Sequence, residues 1–154
     1  MSEIKRILDQ MDRAFAGEAW HGPSLMQLVD GITSEDAAAH PIPNAHSIWE
    51  LVNHIAAWKT IVQHRAAGEA VVDVTAERDW PPLFEVSEVA WRRALEDLTA
   101  SHRRLRGVVE QLHEEQLAQK AAGEEYSIYF MVHGLIQHDL YHAGQIAVLK
   151  KALR

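Results

Sequence analysis

The chain of 154 residues contains no cysteine. That absence excludes a disulfide framework, thiolate metal ligands and a cysteine nucleophile. Positive charge is also in deficit. Lys and Arg number 15 against 22 Asp and Glu, for a formal net charge of −7, and a general nucleic-acid binder needs the opposite balance. The cluster Arg103, Arg104 and Arg106 reads as a solvated helix face rather than an anion site. No apolar run approaches the roughly 20 residues that span a bilayer. The most apolar stretch, Tyr126 to Ile136, is about half that length and is broken by Ser127 and His133. The opening MSEIKRILDQMDRAF shows no apolar leader segment, so the expectation is a cytoplasmic protein with no membrane association. Strand-like alternation and internal repeats are both missing. No Ser-His-Asp array of plausible order and no Gly-rich phosphate loop stands out.

What the sequence does have is helical periodicity and histidine. Hydrophobic residues make up 47% and charged residues 24% of the chain, ordinary values for one globular domain over residues 1–154. Four segments carry apolar residues at helical spacing. The first, about Ser2 to Ala16, has Ile4, Ile7, Leu8, Met11 and Phe15 on one stripe. The second, about Ile48 to Ala67, opens on the capping box Ser47-Ile48-Trp49-Glu50 and ends at Gly68. The third, about Val86 to Gln119, carries the seam Trp91, Leu95, Leu98, His102, Leu105, Val109, Leu112. The fourth runs from about Ser127 to Leu153. Between the first two lie residues 17–46, with possible short helices at Ser24–Val29 and at Ser34–Ala39, the latter capped by Thr33. Four amphipathic helices with a long first crossover predict an all-α four-helix bundle.

The histidines number ten, and their helical phase separates them. The fourth segment's stripe is Ile128, Met131, Leu135, His138, His142, Ile146, Leu149. Two consecutive seam positions, expected to hold Leu or Ile, therefore hold His. Residues at i and i+4 lie about 40° apart round a helix, so the two rings can converge on one point. Buried imidazoles are costly unless each nitrogen finds a partner, and a divalent cation satisfies both at once. The run His138-Asp139-Leu140-Tyr141-His142 lacks the glutamate of the zinc-protease signature. On the second segment, His54 lies about 60–70° from the centre of the apolar face, at its edge. A two-plus-one set across facing helices is a common way to build a metal site in a bundle core, and three protein ligands leave a position open. Zn²⁺ and Ni²⁺ lead the metal candidates, followed by Fe²⁺ and Mn²⁺. His102 reads as a core histidine. His133 is turned about 140° from His138, His64 points toward solvent, and His21, His40, His46 and His113 belong to loops or polar runs.

Two stretches carry a family resemblance. His46-Ser47-Ile48-Trp49-Glu50-Leu51-Val52-Asn53-His54-Ile55-Ala56-Ala57-Trp58 resembles the second-helix motif of the DinB-like superfamily. His138-Asp139-Leu140-Tyr141-His142-Ala143-Gly144-Gln145-Ile146 resembles its last-helix motif. Their order and separation match, and Trp20-His21-Gly22-Pro23-Ser24 is similar to the family's early loop, so the resemblance spans nearly the whole chain. It implies a four-helix bundle with metal-ligating histidines at His54, His138 and His142. It also implies homodimers in many members, and activities that include S-transfer and isomerisation with low-molecular-weight thiols and metal-dependent hydrolysis. Ala143 stands where a basic residue is common in the family.

Around this set, Glu50, Tyr141 and Gln145 are candidates to orient the ligands or handle protons. Asp139 is expected to form an ion pair or cap rather than act as a base. Trp20, Trp49, Trp58 and Trp80 could line a pocket at that end of the bundle or simply pack in the core. The Gly17–His46 stretch is the expected lid. The sequence thus supports a metal-dependent enzyme that activates a thiol or water on a small-molecule substrate. The competing readings are a non-catalytic metal- or small-molecule-binding protein, such as one acting in stress, and an interaction bundle with structural histidines.

Overall fold

All seven α-helices start on a hydroxyl side chain. Ser2, Ser24, Thr33, Ser47, Thr75, Ser87 and Ser127 stand at the N-cap positions of α1 (Glu3–Phe15), α2 (Leu25–Val29), α3 (Ser34–Ala38), α4 (Ile48–Ala66), α5 (Ala76–Asp79), α6 (Glu88–Gln111) and α7 (Ile128–Ala152). Each cap is in extended backbone, and in six of the seven its hydroxyl accepts from the backbone N–H three residues on, an otherwise unpaired donor. A computed structural model describes residues 1–154 in full and contains no strand. The capping box at Ser47 is formed in both directions: Ser47 N–H donates to Glu50 at 2.7 Å and Glu50 N–H to the Ser47 hydroxyl at 3.2 Å. Gly68, at φ 90°, takes the left-handed conformation that closes α4.

The third helix is shorter than the apolar spacing predicts. It stops at Gln111, with Leu112 in extended backbone (ψ 146°), and residues 114–118 form a separate 3-10 turn. The periodicity carried on because Leu117 of that turn is buried against the same core. The turn has its own start, at which Gln116 accepts from His113 N–H at 2.8 Å.

The four long helices pair in a closed arrangement. α4 packs on α6 and α7, and α1 packs on the same two from the other side. Their apolar residues form two clusters stacked along the bundle. One contains Phe15, Ile55, Leu98 and Ile146, the other Met11, Val62, Leu105 and Leu135. On each long helix a polar residue falls between the two clusters: Asp12 on α1, Lys59 on α4, Ser101 and His102 on α6, and His138, Asp139 and His142 on α7, with His54 of α4 joining them from the edge of the first cluster. The bundle core is therefore crossed by one polar layer, and the interrupted seam of α7 is part of it.

This layer has two halves. In one, the Lys59 ammonium, 1% exposed, donates to Asp139 Oδ2 at 2.5 Å and lies 3.5 Å from His102 Nδ1. His102 stacks on Phe15, and its Nε2 faces Asp12 at 3.3 Å, where Arg106 also donates. His102 is thus a core histidine satisfied by neighbouring charges, and Asp139 is an ion-pair partner, as its position suggested. The other half is the three remaining histidines.

Candidate metal centre

α4 brings in His54 and α7 brings in His138 and His142, one turn apart. His138 Nε2 lies 3.0 Å from His54 Nε2 and 3.2 Å from His142 Nε2. The candidate ligand atoms lie within 4.8 Å of one another, and the three side chains form a group able to hold a metal ion.

The tautomers follow from the partners of the other nitrogens. The Asp79 backbone carbonyl can only accept, so His54 Nδ1–H donates to it, at 2.7 Å. His142 Nδ1–H likewise donates to Gln145 Oε1 at 2.6 Å. Both Nε2 atoms therefore present lone pairs to His138. A single proton on His138 Nε2 can serve only one of them. His138 Nδ1 is buried with no partner at all. Protein atoms alone cannot pair the three Nε2 atoms, whereas a cation that accepts their lone pairs can, with the His138 proton then on Nδ1. The two separations from His138, 3.0 and 3.2 Å, are close to the about 3.3 Å that Zn–N bonds of about 2.0–2.1 Å at a tetrahedral angle place between two ligand nitrogens.

Electrostatics keep all three imidazoles neutral. Burial holds His54 and His142 below the usual histidine range. It lowers His138 further, to about 3, with the charges of His142, His54 and Lys59 acting in the same direction. Neutral imidazole is the form that binds a metal.

The second connection, residues 67–87, closes the site. Trp80 stacks on His54 with ring centroids 3.8 Å apart, and its other face stacks on His46 at 3.6 Å. Asp79 accepts the Trp58 indole N–H at 2.7 Å, and its carboxylate also stands 3.2 Å from His54 Nδ1. Sequence reading missed Asp79 because α5 spans four residues and shows no periodicity, and His46 because it lies in the loop before α4. The available signal was the Thr75 cap and an aromatic residue followed by two prolines.

The other candidates are dispersed. Gln145 contacts His142, and Tyr141 stands edge-on to it with ring centroids 5.1 Å apart. Glu50 is bonded to Ser47 N–H and lies 3.1 Å from His40 and 3.4 Å from His46. Of the four tryptophans, Trp58 and Trp80 border the histidines. Trp49 is buried against Trp91, and Trp20 is fully exposed. The Gly17–His46 stretch does not cover the site as a lid. It contributes His46, while the cover comes from Asp79 and Trp80.

No curated protein matches the chain closely enough to serve as a relative. The family model of the DinB superfamily matches residues 19–146, a span that takes in α4, the covering segment and His54, His138 and His142. With that match over most of its length, the chain belongs to the DinB superfamily.

Proposed function

We propose that the protein is a metal-dependent enzyme that binds a divalent cation on His54, His138 and His142 and activates a thiol or water, as an S-transferase or a hydrolase. The observation carrying this reading is the convergence of three Nε2 atoms with too few protons to pair them. Zn²⁺ and Ni²⁺ suit three imidazoles best, with Fe²⁺ and Mn²⁺ as further candidates. Held by His54, His138 and His142, such a cation would supply Lewis acidity, lowering the pKa of a water or thiol.

The remaining tasks fall to the chain. The Asp79 carbonyl and Gln145 hold protons on Nδ1 of His54 and His142, which keeps each Nε2 available as a ligand. Trp58 and Trp80 keep water from one side of the histidines. Tyr141, largely exposed next to His142, can orient a substrate with its hydroxyl. Glu50 acts one layer out by fixing His40 and His46. Because the chain has no cysteine, a reacting thiol comes from a low-molecular-weight cosubstrate.

Elemental analysis of protein purified without a histidine tag tests the metal. One metal ion per chain is expected, retained in His102→Ala and lost in His138→Ala. Wild-type protein that stays metal-free after incubation with Zn²⁺ or Ni²⁺ would refute the proposal. Turnover of electrophiles with thiol cosubstrates, measured against ester and amide hydrolysis, then divides the two reactions and separates an enzyme from a metal-binding protein.

We propose further that the protein works as a homodimer, as the family resemblance implies. Trp20 supports this reading: it is wholly exposed beside a cavity of about 500 Å³ between α1 and α7, where a partner chain would cover it. Analytical ultracentrifugation at micromolar protein should show a dimer that Trp20→Ala shifts toward monomer. A wild-type monomer under those conditions rules the dimer out.

A further inference from the structure

Between α7 and the turn that leads into α4 runs a groove of about 560 Å³, within the usual size range of small-molecule sites. Its walls are Ile42, Leu51, Val148 and Leu149, and none of its ten lining residues is Lys, Arg, Asp or Glu. In a chain with 24% charged residues, that is a selective surface. Asn44, at φ 63°, sets the turn that forms one wall. Gly144 also lines the groove, and the space over it is open, with no atom within 4 Å of where a Cβ would stand.

The polar groups of this groove lead to the histidines. Gln145 is the residue that fixes His142, and His46 is stacked on Trp80, which is stacked on His54. Tyr141 adds a hydroxyl beside His142. Across Gly144 lies a second groove with the opposite character, carrying Lys150, Lys151 and Arg154. The two surfaces divide by charge. Cationic side chains line only the second, and a charged group placed in the first would be desolvated with no counterion.

We propose that the uncharged groove binds the apolar body of a neutral small molecule and presents its polar end toward Gln145 and the histidines, as the substrate-recognition surface of the metal centre. This inference rests on the metal reading for the word substrate, but the groove needs no metal in order to bind. It is therefore tested on metal-free protein, with the uncharged fluorophore N-phenyl-1-naphthylamine as ligand. Saturable binding at one site per chain is expected. Val148→Trp fills the groove from a half-exposed position and should weaken binding by about tenfold or more, an effect of over one pKd unit. Ala147→Trp, which narrows only the cationic groove, should leave the affinity within about twofold. Circular dichroism and thermal melts confirm that both variants fold. The proposal fails if the fluorophore does not bind, if Val148→Trp binds like wild type, or if Ala147→Trp is the variant that loses binding. A protein that binds the fluorophore as expected yet takes up no Zn²⁺ or Ni²⁺ refutes the metal reading and leaves the groove assignment standing.

Discussion

Lys59→Met is expected to destabilise the metal-free protein by about 3–5 kcal/mol, the cost of breaking a buried ion pair from one side. In a chain of this length the loss should appear as a fall of roughly 10 °C in the thermal midpoint. Methionine has a similar length and packs well in apolar surroundings, so the variant tests charge more than shape. What it leaves behind is costly. Asp139 is 3% exposed, its Oδ2 loses its donor, and its Oδ1 has no partner to begin with. Burial already raises the Asp139 carboxyl above the ordinary aspartate range while Lys59 opposes that rise. Without the ammonium the carboxyl takes up a proton, which limits the penalty but does not remove it. The double variant Lys59→Met with Asp139→Leu takes both charges out of the core and should return to within about 1 kcal/mol of wild type. A single variant as stable as wild type, or a double variant no better than the single, would show that the pair is not what stabilises this layer.

The same layer explains what the sequence could and could not reveal. The long helices were legible because apolar stripes such as Ile4-Ile7-Leu8-Met11 follow the helical period and hydroxyl caps mark their starts. The end of α6 was not, since Leu112 and Leu117 keep an apolar pattern through a segment that leaves the helix. At the candidate centre, His138 and His142 stood out as polar residues at core positions, and His54 as the edge of a buried face. The contribution of Asp79 was invisible for a physical reason. Its backbone carbonyl makes the closest contact to His54, and a carbonyl is present in every residue. His46 was equally hidden: its place on Trp80 depends on two loops meeting, and neither loop has a period. Glu50 could be read as a cap, but its bonds to His40 and His46 join residues that no helical wheel relates. Local rules thus recover the elements and the side chains that face inward, while contacts between connections require the fold.

Acidification should weaken the metal-free protein before its carboxylates begin to titrate. His102 is buried and lies beside Lys59, and burial first and that charge second lower its pKa from 6.5 to about 4. An unfolded chain protonates this histidine near its ordinary value, so between the two the unfolded state binds a proton that the folded state refuses. Stability therefore rises with pH across that window and is lost on acidification through it. For His102 alone the effect amounts to about 2 kcal/mol by pH 5 and about 3 kcal/mol by pH 4. His54, His138 and His142 are shifted in the same direction and add to the slope. Asp139 works against it, because its raised pKa lets the folded state take up a proton before the unfolded one does. Glu50, held below its ordinary range by the Ser47 N–H and by His40, contributes only below its unperturbed value of 4.5. Chemical denaturation at pH 7.5 and pH 5.0 isolates the histidine window. His102→Gln should lower stability at pH 7.5 through lost packing on Phe15 but should shrink the difference between the two pH values by about 2 kcal/mol. Lys59→Met, which removes one of the three causes that lower His102, should shrink it by a smaller amount. Equal pH differences in wild type and His102→Gln would mean that His102 is protonated in the folded protein and that the Lys59–His102 half of the layer is arranged differently in solution.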